Sequence, residues 1–237
     1  MIPDPKPQSV VFHALDRDAE VEVSVRNLPH WFQADAAIFV TFRTADSLPK
    51  EVILRMIAEL CEWLRNHGLP VELADSMFHT KHPNHDQLLD QLESKQRREL
   101  KKLADQLFHR SLDDCHGDCL LKDSSSAQLV ADAIRKFDDV RYDLDSLIVM
   151  PNHVHVLVQF RSGYDLATIS QSWMRYTARV INTQIGRTGV LWQPEPFDHI
   201  IRSAEQFEYL HRYVAENPKK AKLEMGQYLY WQRGQTL

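Results

Sequence analysis

RYDLDSLIVMPNHVHVLVQF, residues 141–160, is the stretch on which the fold turns. It contains two runs rich in β-branched and aromatic residues, separated only by Pro151-Asn152. That dipeptide favours a tight turn, because proline presets φ and asparagine bonds back to its own backbone. Two strands joined end to end are therefore expected. In a strand, side chains at i and i+2 leave from the same side. His153 and His155 thus present two imidazoles to one face, while Val154 and Val156 fill the other. Neutral imidazole is a common metal ligand, and two from one strand make a rigid half-site that needs further ligands from elsewhere. The spacing alone fits equally well with two histidines on a half-exposed sheet face.

Working outward, Ala37–Arg43 alternates like a strand, and Asp46-Ser-Leu-Pro49 supplies a cap and a proline for a helix start. That helix is expected to run to about Asn66, with Ile53, Met56, Ile57, Leu60 and Leu64 on one face and Gly68 as its stop. The first thirty residues are polar and proline-punctuated, which reads as an extended arm. Residues 86–110 read as a charge-laced, solvated helix. A polar loop, 122–127, precedes a helix over about 127–137. Helical patterns return at about 165–185, closed by Gly186, and at about 203–216, closed by Asn217-Pro218. The order implies an α+β fold: an antiparallel sheet with helices on one face, a helical insertion at about 80–112, and C-terminal helices. The domain limits that follow are an arm over 1–35, a main domain over 36–218 and a tail over 219–237.

With 237 residues, 43% hydrophobic and 26% charged, the composition is that of an ordinary globular domain. No apolar run is long enough for a membrane span, and the N-terminus lacks the basic-then-apolar order of a secretory signal, so a cytoplasmic location is expected. Three cysteines suit a reducing compartment. Cys115-His116-Gly-Asp-Cys119 lacks a second ligand pair at zinc-site spacing and reads as a turn. His79, His82 and His85 recur every three residues among Lys, Pro and Asn, a solvated loop. The net charge of −5 is unevenly spread: from Arg161 onward ten basic residues face seven acidic ones. A local basic surface permits nucleic-acid binding despite the acidic total.

MPNHVHVLV resembles the HUH motif (His, hydrophobic, His) of single-tyrosine transposases, especially the REP-associated tyrosine transposases. The resemblance extends to both sides. PHWFQADAAIFVTFRTADSLP is similar to that family's first strand and the start of its next helix. SWMRYTARVINTQIGRTGVLWQPEPFDHIIR is similar to its tyrosine helix and following turn, and YVAENPKKAKL resembles its C-terminal Asn-Pro-Lys-Ala segment.

The resemblance implies a ferredoxin-like core that cleaves and rejoins single-stranded or hairpin DNA through a 5′-phosphotyrosine. It implies His153 and His155 as metal ligands for a divalent ion, Mg²⁺ or Mn²⁺. Tyr176, the one tyrosine in the next helix, is then the expected nucleophile, and Asn182 the expected third ligand. Here the pattern departs from the family's: Val180, one turn after Tyr176, cannot ligate, and Asn182 lies about 120° around the helix from it. Asp198-His199 is a further source of a ligand or supporting group. Phosphate contacts are expected from Arg175, Arg179, Arg187, Lys219 and Lys220. Trp192 and Trp31 are expected base-stacking platforms. A monomer and a homodimer both remain open. The alternative is a host DNA-binding protein that has kept the fold and lost the chemistry. A metal hydrolase of the amidohydrolase type also uses His-x-His, but needs repeated β/α units with the pair near the start.

Overall fold

The computed structural model describes residues 10–25, 29–78 and 85–234; His79 and His82 lie outside them. The segment expected as an arm contains an antiparallel strand pair, β1 (Glu22–Val25) with β2 (Pro29–Phe32). The strand β3 (Ala37–Arg43) follows, then the helices α1 (Lys50–Asn66), α2 (Glu72–Ser76), α3 (His85–Asp90), α4 (Ser94–Asp113) and α5 (Ser124–Arg135). Next come β4 (Tyr142–Val149), β5 (His153–Phe160), α6 (Leu166–Gln184), β6 (Phe197–Ile200), α7 (Ala204–Lys220) and β7 (Leu229–Gln232).

Five strands form one antiparallel sheet in the order β6-β3-β5-β4-β7. With α5 and α6 as the two crossover helices, β3-α5-β4-β5-α6-β6 is a β-α-β-β-α-β unit whose spatial order is 4-1-3-2. That is the ferredoxin-like arrangement. The chain segment expected as a C-terminal tail adds β7 to the edge, beside β4.

The sheet's two faces differ in chemistry. Ile38, Val40, Phe42, Leu144, Leu147, Val149, Val154, Val156, Val158 and Phe160 form one face, against α5 and α6. Ala37, Phe39, Ile148, Met150 and Leu157 lie on the other, against α7. A bulge between Leu144 and Ser146 resets the alternation along β4.

Three element boundaries differ from expectation, each for a local reason. The 122–127 loop is mostly the first turn of α5, because the Asp123 side chain caps it by accepting from the Ser126 N–H. The 86–110 helix is two helices, and the longer one begins in a capping box between Glu93 and Gln96. Its Leu100, Ala104 and Leu107 pack with Val52, Met56, Leu60 and Leu64 of α1 in a second core. Finally, α7 continues through Asn217 and Pro218, both buried, to Lys220. Bonds from the Ala221 N–H to the Asn217 carbonyl and from the Leu223 N–H to the Pro218 carbonyl hold that last turn.

Candidate functional site

The site is built on β5. His153 and His155 are fully buried, their ring centroids 4.7 Å apart, on the face that α7 covers. Each ring is held through Nδ1. His153 Nδ1 lies 2.8 Å from Asn152 Oδ1, an oxygen that can only accept, so Nδ1 carries the proton and Nε2 keeps its lone pair. His155 Nδ1 lies 2.8 Å from the hydroxyl of Thr41, directly across the ladder on β3. Neither Nε2 has a hydrogen-bond partner, although both are buried. Burial lowers the His153 pKa to about 3 and pushes that of His155 well below its usual value, so both rings are neutral at pH 7. Fixed rings with bare, inward-facing nitrogens are what metal ligation requires.

The end of α7 supplies the opposing wall. The Tyr213 ring centroid is 5.4 Å from that of His155 and 5.7 Å from that of His109, a residue of α4. The Tyr213 hydroxyl is 3.4 Å from His109 Nδ1. Burial, with the nearby Asp113 carboxylate, raises the Tyr213 pKa, so its phenol is protonated at neutral pH. The Lys220 ammonium lies 4.7 Å from the Tyr213 ring centroid. Asn217 stands one helical turn after Tyr213 and is fully buried, with neither polar atom of its amide hydrogen-bonded.

Two further groups face the site from α4. Burial lowers the His109 pKa to about 4. Asp113 Oδ1 is buried without a hydrogen-bond partner, 4.0 Å from His153 Nε2. Burial raises the Asp113 pKa to about 6, with the Asn217 side chain and the Lys220 charge pulling the other way. Among the described residues, no three His, Cys, Asp or Glu side chains already converge as a metal cage. What is present is two buried imidazole nitrogens, a buried amide and a carboxylate oxygen, none with a hydrogen-bond partner, on β5, α7 and α4.

The structure does not bring Tyr176 and Asn182 to this site. Both belong to α6, which covers the valine face of the sheet, opposite the histidines. Tyr176 is 44% exposed and lines an open groove with Thr168, Gln171, Ser172, Arg175 and Arg179. The Asn182 amide donates to the Gly189 carbonyl at 2.9 Å. Trp192 is also corrected: it is buried, edge-on to Phe42, and donates to the Thr177 hydroxyl, so it is core and offers no face for stacking. Trp31 is 43% exposed, with the Arg202 guanidinium 5.8 Å from its ring centroid. Arg187 pairs with Asp118 at 3.4 Å. Lys219 and Lys220 close α7 beside Tyr213, and His199 bonds to Gln206.

Sequence reasoning missed Tyr213, Asn217, His109 and Asp113. The signal for the first two was legible in YVAEN: a tyrosine and an amide four residues apart satisfy the one-turn spacing that Tyr176 and Val180 fail. Reading Asn217-Pro218 as a helix stop concealed it. No local signal marks His109 or Asp113, because α4 reaches the site only through tertiary packing.

Fold and site together describe a ferredoxin-like domain whose central strand presents a histidine pair to a half-buried tyrosine. Residues 120–217 match the model of the family described as "Transposase IS200 like", a stretch that includes the histidine pair, Tyr213 and Asn217. The resemblance to tyrosine transposases read from the motifs holds over that stretch. Among solved structures, a REP-associated tyrosine transposase bound to a REP hairpin is similar at 14% identity and a TM-score of 0.41, covering 83% of this chain and 74% of that one. No curated protein matches the chain. Among the described residues, no helix is long and apolar enough to cross a membrane.

Proposed function

We propose that this protein is a metal-dependent tyrosine transposase that cleaves and rejoins single-stranded or hairpin DNA, with Tyr213 as its nucleophile. One observation carries the reading: the Tyr213 ring packs edge-on to His155 of the histidine pair, and Asn217 follows it by one turn. His153, His155 and Asn217 are the residues that would hold a divalent ion, because their bare nitrogens and amide are buried with nothing else to bind. Mg²⁺ and Mn²⁺ suit phosphate chemistry, and imidazole ligands favour Mn²⁺ of the two. When bound, the ion polarises the scissile phosphate and offsets charge that builds there.

The protein's own groups do the rest. The Tyr213 oxygen attacks phosphorus, forming the phosphotyrosine bond as the bond to the 3′ oxygen breaks. The phenol gives up its proton as it attacks, with His109 Nδ1 an acceptor 3.4 Å away, and the departing 3′ oxygen takes up a proton from solvent. The covalent ester keeps the energy of the broken bond available for rejoining. Asn152 fixes His153 in the tautomer that leaves Nε2 free, and Thr41 orients the His155 ring. Lys220 and the half-buried Arg43 supply positive charge for the phosphate backbone. The exposed Arg175 and Arg179 lie on the other face of the sheet and suit a peripheral DNA path.

The test is a nicking assay on single-stranded hairpin DNA with and without Mn²⁺ or Mg²⁺. Metal-dependent nicking that Tyr213→Phe abolishes and Tyr176→Phe leaves intact supports the reading. Tight hairpin binding with no nicking under any metal overturns it in favour of a DNA-binding protein without the chemistry.

A further inference from the structure

The last residue of α4 is a carboxylate that the Asn217 side chain and the Lys220 charge favour, yet its Oδ1 is left without a hydrogen bond. Asp113 closes a twenty-residue helix, the end at which the helix dipole is negative and a second negative charge is disfavoured. Its side chain is only 16% exposed. Its Oδ1 has no hydrogen-bond partner, and His153 Nε2, 4.0 Å across the gap, is equally unpartnered. A buried carboxylate with a bare oxygen costs stability unless something positive meets it. A neutral histidine does not.

We propose that Asp113 is an oxygen ligand of the metal centre, so that the helical insertion completes a site whose other donors come from β5 and α7. This rests on the metal-binding reading of the histidine pair and extends it to a residue outside the 120–217 stretch that matches the family model. The geometry permits it. Two metal–ligand bonds of about 2.1 Å each span at most about 4.2 Å, so one ion can bridge atoms 4.0 Å apart. The chemistry favours it as well. Two imidazoles and an amide are all neutral donors, which hold Mg²⁺ or Mn²⁺ weakly, whereas an added carboxylate brings the hard, charged oxygen these ions prefer. Packing fixes the position of the insertion helix, since its Leu100, Ala104 and Leu107 are anchored in the core it shares with α1. Its Phe108 and His109 rings lie against Phe197 of β6.

The experiment is Mn²⁺ binding to the full chain, followed by electron paramagnetic resonance of free Mn²⁺ and, independently, by the Mn²⁺-induced rise in melting temperature. Wild type, Asp113→Asn, Asp113→Ala and His155→Ala are compared, with no DNA present. Both Asp113 variants should bind Mn²⁺ at least about tenfold more weakly than wild type and lose most of the metal-induced thermal shift. Their metal-free melting temperatures should equal or exceed the wild-type value, which separates lost ligation from lost folding. Wild-type affinity in both Asp113 variants, with binding lost in His155→Ala, overturns the role of Asp113 alone. Unchanged affinity in His155→Ala, or no Mn²⁺ binding by wild type, overturns the metal reading of the histidine pair and this assignment with it.

Discussion

The two faces of the central sheet use the same strands for opposite purposes. On the α5/α6 face, β5 contributes Val154, Val156 and Val158, and the buried space is hydrocarbon with paired polar atoms among it: Trp173 donates to the Tyr142 hydroxyl, and Trp192 to Thr177. On the α7 face, the alternate positions contribute His153 and His155, and unpartnered polar atoms gather there, on the two histidines, Asp113 and Asn217. Buried polar groups are ordinarily satisfied, so a cluster of orphans marks a place that awaits a ligand. One face stabilises the domain, and the other carries the unpartnered polar atoms on which the proposed chemistry rests.

That contrast can be broken experimentally, most forcefully on the hydrocarbon side. Trp173→Ala removes a ring that is 3% exposed and edge-on to Tyr142. It should lower unfolding free energy by about 3–5 kcal/mol, read by denaturant melts. His153→Ala, across the sheet, should cost far less stability while eliminating metal-dependent nicking. If the histidine variant proves the more destabilising, the division of labour is wrong.

Acid should act on the polar face. The folded-state pKa of His109 is about 4 and that of His153 about 3, both below the usual 6.5, so between those values the unfolded chain binds more protons. Stability from these rings is therefore complete above about pH 6.5 and is lost as pH falls toward 4. Asp113, raised to about 6, works in the opposite sense: its burial costs nothing while protonated and destabilises as pH rises from about 4 through 6. A net loss of about 2 kcal/mol between pH 7 and pH 5 is expected from His109 and His153 less the aspartate, and His155, also pushed down by burial, adds to it in the same sense. Metal-free melts across that range check it, and a flat profile would contradict buried, neutral imidazoles.

Thr41→Val keeps the shape of the side chain beside His155 and removes its hydroxyl. Without the bond that orients the ring, Mn²⁺ affinity should weaken about 10–100-fold with little change in melting temperature. The smallest effect belongs to α6. Replacing Arg175 and Arg179 with alanine should leave cleavage chemistry unchanged. It should reduce the salt dependence of hairpin binding by about one unit of slope for each phosphate these side chains neutralise.

How much of this was legible in the sequence follows from how local each signal is. The period-2 rule put His153 and His155 on one side of a strand, and turn chemistry joined β4 to β5. The segments expected as strand–helix and strand–strand–helix assemble into the ferredoxin-like order. What failed was anything that needs to know which helix returns to which face. Tyr176 sits in the helix next in sequence, but the crossover after β5 carries α6 over the valine face. The return helix α7, which follows β6, brings Tyr213 back to the histidines. Trp192 reads as a stacking platform in a turn, yet its ring faces inward onto Phe42. Asn217 was hidden because proline usually ends a helix one residue earlier. Here the buried turn is held by the bond from the Leu223 N–H to the Pro218 carbonyl.

The claim on which the rest depends is that the phenol on the histidine face, and not the exposed one on α6, forms the covalent link to DNA. Incubating the protein with single-stranded hairpin DNA and Mn²⁺, digesting the trapped adduct with nuclease and protease, and mapping the modified peptide by mass spectrometry tests it directly. The account predicts a nucleotide mass on the peptide that contains Tyr213. The same mass on the Tyr176 peptide would contradict it.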